Sequence, residues 1–459
     1  MTLGTLVIVI MATLLLYFLR KNKRVVLSQR QRARRGLLPP GPATLPIIGN
    51  MHQMVWNKPA VFRWIHRLLK EMNTDIMCLR LGATHVIVVT CPEIACEVLR
   101  KKDEVFASRP TTFASGTFSL GYKGSVLSPH GEQWRKMRRV LTLEILTSSM
   151  EQKLHHLRKE EYDHLVSNVP SSSTNGPGHE EEAHVGALFT ALNHVYSFCV
   201  SDYIPALVGL NLDGHEEVSV DVMRTINRLH DPIIRERICE RSSTLEKGGE
   251  NKEEMVLAAV DNPSNAVEWA LAEMINRPEI MQKATDELDA VVGKDRLVQE
   301  SDIPRLNYLK SCIREAFRIH PYHALNLPHV AMVDTTIAGY TIPKDSHILL
   351  SRLGLGRNPK IWSEPLEFRP ERHLNTVNVL LIEPGLRFIS FSSGRRGCPG
   401  ISLGTSITMM LFARMLQAFT WTKPVGVKNI SLQEGNASLA LLEPLVLQAQ
   451  PRLAAYLYR

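Results

Sequence analysis

The chain lacks the features that mark several classes of protein. Its 459 residues include only seven cysteines, none of them in a Cys-x-x-Cys pair, which excludes a disulfide scaffold. Hydrophobic residues make up 44% and charged residues 22%, so the high charge and low hydrophobicity of a disordered chain are missing as well. No internal repeat is visible. One large folded domain therefore fits the chain better than three small ones.

Residues 36–459 carry no formal net charge. The whole chain has 54 Lys and Arg against 46 Asp and Glu, a net charge of +8. Residues 20–35 contain eight Lys and Arg and no acidic residue, while residues 1–19 contain no charged side chain. One short segment thus accounts for the whole excess. A basic domain face that binds nucleic acid is not expected.

The amino terminus predicts a membrane anchor. Residues 2–19 are uncharged and would span roughly 27 Å as a helix, enough for the hydrocarbon core. The alternative is a cleaved signal peptide, but the basic residues follow the apolar run, and Tyr17, Phe18 and Leu19 make a poor cleavage site. We predict a transmembrane anchor at 1–19, a basic linker at 20–38 and a single domain at 39–459, on the cytosolic side of the membrane.

Hydrophobic periodicity predicts a mainly α domain with small β-sheets. Residues 109–131, rich in Gly, Ser and Thr, are expected to form a long loop, and 169–180 a breaker-rich surface segment. Strands are predicted at 76–81 and 85–90, as a hairpin, and within 329–350. Helices are predicted at 59–72, 92–101, 132–167, 184–200, 216–240, 253–276, 278–292, 305–320 and 400–419.

One segment carries a recognisable chemistry. Between Phe391 and Gly400, three glycines surround a single cysteine, Cys398, just before a predicted helix. Glycines allow a flat ligand to approach the backbone, and a thiolate is stabilised at a helix amino terminus. A lone thiolate in such a loop suits haem iron. The alternative is a buried structural cysteine.

These residues resemble a known family. Phe391, Gly394, Arg396, Cys398 and Gly400 match every fixed position of the cytochrome P-450 haem-binding loop, and the resemblance extends over about residues 39–459. It implies the cytochrome P-450 fold and a haem b whose iron is axially bound by Cys398. It also assigns three further residues to the haem propionates, namely Trp134, Arg138 and His329.

A structural triad is implied by the same resemblance. Glu315 and Arg318 are spaced to share one helix face, and Arg372 lies in a loop that could close on them. Without the family, Glu315 and Arg318 would read as a surface ion pair. The family usually has an aromatic residue after Arg372, whereas this chain has His373.

The helix expected over the haem departs from most of the family. An acid followed by Thr usually relays protons there, whereas here Asp261 is followed by Asn262 and Pro263. A proline inside a helix removes a hydrogen bond and kinks it, although Pro263 could instead begin a second helix. The run from Asp261 to Trp269, with those around Leu327 and Gly354, resembles the plant amino-acid N-monooxygenases that form aldoximes.

That branch implies two N-hydroxylations of an α-amino acid, with catalytic roles for Asp261 and Asn262. Electrons would come from NADPH through a cytochrome reductase at the endoplasmic reticulum membrane. Its docking face is predicted at Arg135, Lys136, Arg139 and Arg395. Candidate walls of the substrate pocket are Phe113, Phe118, Tyr122, Lys123, Asn262, His323 and Asn326; Arg109, common across the wider family, is not assigned to substrate.

The chain is also short for this branch. The shortage is expected near 168–182 and 241–254, where a packing helix after Val169 could be missing. Other readings therefore stay open: a P-450 that hydroxylates another small plant metabolite, a relative that rearranges or dehydrates its substrate without a reductase, and a truncated inactive variant.

Overall fold

The computed structural model describes residues 37–169, 179–195, 197–241, 252–374 and 378–458. The predicted anchor and nearly all of the basic linker lie outside these residues. Within the described part of the chain, no helix is long and apolar enough to cross a membrane.

Helices dominate the domain, as predicted. In chain order they are Met51–Trp56 (α1), Val61–Glu71 (α2), Pro92–Cys96 (α3), Phe113–Phe118 (α4), Glu132–Val140 (α5), Ser148–Lys153 (α6), His155–Asn168 (α7), His179–His194 (α8), Val200–Tyr203 (α9), His215–Arg241 (α10), Lys252–Ile275 (α11), Pro278–Val291 (α12), Asn307–Ile319 (α13), Arg352–Gly356 (α14) and Ile401–Ala418 (α15). Five-residue π-helical segments, Glu97–Lys101 and Leu141–Ile145, extend α3 and α5.

The strands are short and form small sheets. They are Ile76–Leu81 (β1), Thr84–Val89 (β2), His329–Val330 (β3), Thr335–Ile337 (β4), Tyr340–Ile342 (β5), His347–Leu350 (β6), Phe419–Thr422 (β7) and Gln448–Pro451 (β8). The largest sheet has the order β1-β2-β6-β3, with β2 and β6 parallel. This pairing brings the chain after β6 beside the amino-terminal hairpin.

The main core lies between α11, α12, α13 and α15. Nearly every side chain of α13 is buried, including the polar Glu315 and Arg318 as well as Leu309 and Ile313. Trp269 of α11 is fully buried and its indole donates to the carbonyl of Leu439 at 3.0 Å. A helix buried on all faces cannot be laid out by amphipathic spacing alone, since its polar residues must find partners inside.

Several predicted boundaries need correction. The helix expected over 132–167 is divided. One segment ends at Ile145, and Thr147 caps the next by accepting a hydrogen bond from Met150 N at 3.2 Å. The loop expected at 109–131 contains α4, which begins in a capping box between Thr112 and Ser115. By contrast, α11 continues through Pro263, so the alternative in which Pro263 begins a second helix is wrong.

Candidate functional site

The Cys398 loop is a tight turn closed on itself. Gly394–Arg396 forms a single 3-10 turn, and the backbone N–H of Cys398 donates to the carbonyl of Phe391 at 2.8 Å. The ring of Phe391 packs edge-on against Phe317, with ring centroids 5.9 Å apart. The loop therefore holds the cysteine just before α15, where the sequence predicts it.

Glycine at position 394 is required by a close contact with a distant segment. Its φ is +72°, and a Cβ there would lie 2.0 Å from the carbonyl oxygen of Leu99. Arg100 Nε donates to Ser393 Oγ at 3.0 Å, which adds to the same contact. At Gly400 a Cβ would lie 4.0 Å from the Cys398 sulfur, which is an ordinary van der Waals distance.

Two buried side-chain nitrogens near this loop have no hydrogen-bond partner. The buried Trp134 indole N–H of α5 has no partner, and the Arg396 guanidinium lies 4.5 Å over its ring. His329 Nδ1 donates to the Phe106 carbonyl at 2.7 Å, so in the neutral ring the buried Nε2 is an acceptor, and it has no partner. Arg396 itself donates to the carbonyls of Ala107 and of Ser125 and Ser128.

The surroundings of Cys398 act on its thiol in opposite directions, with burial the larger effect. Burial raises the pKa of its thiol, while the Gly400 N–H and the charges of Arg138 and Arg352 lower it. A bound cation deprotonates a coordinating thiol outright. A buried donor left without an acceptor is costly, so a ligand with acidic groups is expected to complete the indole N–H of Trp134. Cys398 fits the iron of a haem, and Trp134 and Arg138 fit its propionates. The unprotonated Nε2 of His329 can accept but not donate a hydrogen bond, so the role of His329 at a propionate stays a prediction.

Asp261 and Asn262 have different surroundings. Asp261 is buried; its Oδ2 accepts a hydrogen bond from the Tyr322 hydroxyl at 3.5 Å, and its Oδ1 has no partner. Burial raises the pKa of this carboxyl to about 6. The side chain of Asn262 is exposed. No hydrogen bond joins either residue to the Cys398 loop in the described chain, so their catalytic roles stay a prediction.

A cavity of about 490 Å³ lies between the sheet, α8, α10 and the chain after α13. Of the predicted walls, only His323 and Asn326 line it. Phe118 packs in a buried cluster with residues of α8 and α10, and the Tyr122 hydroxyl donates to the Thr112 carbonyl at 2.9 Å. Lys123 is exposed.

The predicted triad is assembled in the core. Arg318 makes two hydrogen bonds with Glu315, both at 2.7 Å, and Arg372 Nε donates to the same carboxylate at 2.9 Å. Glu315 and Arg318 are fully buried, so the surface ion-pair reading is wrong. They hold α13 to the loop around Arg372, and the triad is structural rather than chemical.

Arg352 and Tyr322 were missed from the sequence. Arg352 lies close enough to Cys398 for their charges to interact, and its Nη2 donates to Asn326 Oδ1 at 3.1 Å. Tyr322 touches Asp261 across 61 residues of sequence. No local pattern marks either residue, since both contacts depend on how distant elements pack.

Comparison with known proteins agrees with the fold and the loop. The family model described as Cytochrome P450 matches residues 39–199 and 244–448. A tyrosine N-monooxygenase of Sorghum bicolor is 50% identical, with 92% of this chain and 87% of the relative aligned. Tryptophan N-monooxygenase 1 of Arabidopsis thaliana is 46% identical, over 92% and 89%. Isoleucine N-monooxygenase 1 of Lotus japonicus is 44% identical, over 99% and 96%.

The same alignments bear on chain length. They run over 487, 483 and 521 positions, against 459 residues in this chain, so the relatives contain residues with no counterpart here. This agrees with the predicted shortage, although its expected positions fall largely outside the described residues.

Fold, loop and relatives together show that the chain belongs to the cytochrome P450 family, as an oxidoreductase of monooxygenase type that resembles the plant amino-acid N-monooxygenases.

Proposed function

We propose that this enzyme N-hydroxylates an α-amino acid twice and releases the corresponding aldoxime. Each hydroxylation consumes one dioxygen and two electrons from NADPH, and puts one oxygen atom on nitrogen and the other into water. The dihydroxylated amine then loses water and carbon dioxide. The observation that carries the proposal is the half-buried thiol of Cys398 near the partnerless indole N–H of Trp134, in a chain whose relatives are named as amino-acid N-monooxygenases.

The chain's own residues would hold the cofactor and prepare the substrate. Bound haem, ligated by Cys398, supplies the activation of dioxygen. Trp134, Arg138 and His329 would hold its propionates. Asp261, with a pKa of about 6, can bind and release a proton near neutral pH, and Tyr322 orients its carboxyl group. A dry cavity favours the neutral amine, whose lone pair is the nucleophile.

The exposed face of α5 supports a reductase partner. Arg135, Lys136 and Arg139 are exposed, while Trp134 of the same helix is buried beside the Cys398 loop. A positive surface steers an acidic partner to this side of the domain. Arg395 contributes less to such a face, because it already lies 3.7 Å from Asp103 and 3.5 Å from Glu104.

Attachment to the endoplasmic reticulum membrane is part of the proposal. It is supported by the uncharged stretch at 2–19 and the basic run at 20–35. Such an anchor would place the domain on the cytosolic side, where NADPH and a membrane-bound reductase are available.

The test is a reconstituted assay. Microsomes that contain the protein, a cytochrome reductase and NADPH are supplied with each common amino acid separately, and oxime is sought by mass spectrometry. One hydrophobic or aromatic amino acid is expected to give its aldoxime, because the cavity walls are mostly apolar with a few polar groups. Carbon-hydroxylated products, with no oxime from any amino acid, would refute the N-hydroxylation and leave the family assignment intact.

A further inference from the structure

Arg352 is a half-buried cation that forms no salt bridge with any carboxylate of the described chain. It is the first residue of α14, after the N-cap Ser351. Its Nη2 donates to Asn326 Oδ1 at 3.1 Å, and its buried Nε has no acceptor. Burying a guanidinium without an anion is costly, and leaving one of its N–H groups unbonded adds to the cost. A negative group from a ligand would complete the site.

The backbone holds Arg352 and Asn326 together before any ligand arrives. Leu325 forms an isolated β-bridge with Ser351, and the Asn326 N–H donates to the Leu350 carbonyl at 2.8 Å. The Asn326 side-chain amide lies 3.4 Å from Ser392 Oγ in the Cys398 loop. Asn326 lines the cavity and also contacts the loop that carries Cys398. It therefore connects Arg352 to both.

Other cations near the cavity are already occupied. Lys58 pairs with Asp213 at 2.8 Å, and the Arg109 guanidinium donates to the carbonyls of Leu327 and Pro328. His323 lines the cavity, but its pKa is lowered to about 3, first by burial and then by the charge of Arg352, so the ring is neutral. Arg352 does not line the cavity itself, but it bonds to Asn326, which does, and its Nε is still without an acceptor.

We infer that Arg352, held in place by Asn326, binds the α-carboxylate of the amino-acid substrate. The inference rests on the proposed function and adds the residue that selects an amino acid over an amine. A guanidinium binds a carboxylate through two parallel hydrogen bonds, which fixes the orientation of the α-carbon and its amine. The competing source of a carboxylate is haem, whose propionates are predicted to bind Trp134, Arg138 and His329 instead.

The test compares two ligands that differ only in the carboxylate. Haem-loaded wild type is titrated with the amino acid that it binds best and with the decarboxylated amine of that amino acid, and Kd is read from the optical difference spectrum. Variants are Arg352→Met, which removes the charge, and Arg352→Lys, which keeps it. Arg224→Met is the matched control, because Arg224 is a surface residue of α10 that pairs only with Asp221.

We expect Arg352→Met to raise the Kd of the amino acid about 10- to 100-fold, the usual loss for a hydrogen bond to a charged group, with the Kd of the amine unchanged. Arg352→Lys should recover part of the loss, and Arg224→Met should match wild type. An equal loss for acid and amine would overturn the inference. So would a drop in haem content with the acid-over-amine preference intact, which would assign Arg352 to a propionate. A wild type that binds haem and no amino acid would instead refute the proposed function.

Discussion

His373 Nε2 lies 2.8 Å from Glu315 Oε2 in the core, at the position where the family usually has an aromatic residue. Its Nδ1 accepts a hydrogen bond from Arg314 Nε at 3.1 Å, so the hydrogen-bond network assigns the proton to Nε2. Burial lowers the pKa of His373, which agrees with a neutral ring. The departure from the family pattern therefore adds His373 and Arg314 to the hydrogen-bond network of the triad.

Replacing His373 with Phe tests that extension. The variant keeps an aromatic ring but removes both hydrogen bonds, and leaves Arg314 Nε buried without its acceptor. We expect the free energy of unfolding to fall by about 1–3 kcal/mol, the usual cost of an unsatisfied buried polar group. Urea unfolding followed by circular dichroism measures it. His155→Phe, at a half-exposed histidine, is the control; equal midpoints for both variants would contradict the network.

Asp261 predicts a pH-dependent difference in stability. Burial raises the pKa of its carboxyl from 3.8 to about 6 in the folded protein. A raised folded pKa gives stability that is present below the unfolded pKa and lost as pH rises through the folded one. Asp261→Asn cannot lose a proton, so it should be more stable than wild type above about pH 6, by up to about 3 kcal/mol for two pKa units.

Thermal unfolding of wild type and Asp261→Asn at pH 4.5 and pH 7.5, in buffers of about equal ionic strength, checks this difference. The difference between the unfolding temperatures of the two proteins should be smaller at pH 4.5 than at pH 7.5. Asp286→Asn, at an exposed carboxyl on α12, controls for the change of charge. A gap that stays constant with pH would show that the Asp261 carboxyl does not titrate in this range.

Cys398→Ser should abolish the thiolate-type carbon-monoxide difference spectrum, because serine supplies no thiolate to the iron. The matched control is Cys91→Ala, at a partly exposed cysteine whose pKa is raised by burial to about 11. That variant should keep the spectrum. If Cys398→Ser retained it, another residue would have to be the iron ligand.

The two glycosylation acceptor patterns test the topology. Asn429 and Asn436 each begin an Asn-x-Ser sequence, and both side chains are exposed, so burial would not protect them. The basic run at 20–35 predicts that they face the cytosol and stay unmodified in the full-length chain. A mobility shift on endoglycosidase treatment would place the domain on the other side of the membrane.

The sequence predicts what is local and misses what depends on packing. The Cys398 loop is contiguous, so its glycines and cysteine could be recognised together, and the i, i+3 spacing of Glu315 and Arg318 survives folding unchanged. Arg352 meets Asn326 only because the bridge between Leu325 and Ser351 joins two strand ends. Threonine is a common N-cap, so Thr147 is a sequence signal for the start of a new helix. The charged residues on both sides of Thr147 favour one continuous helix instead, which is why this boundary was not predicted.

The contact between Gly394 and Leu99 predicts an order for the last events of folding. The Cys398 loop can close only after the chain near α3, almost three hundred residues earlier, has reached its final position, since the loop backbone lies directly against the Leu99 carbonyl. Contacts so distant in sequence form late, because the entropy of closing a long loop must be overcome first. Capture of the coloured cofactor should therefore be among the last steps of maturation. A chain that forms its helices but not this contact should be recovered as colourless protein.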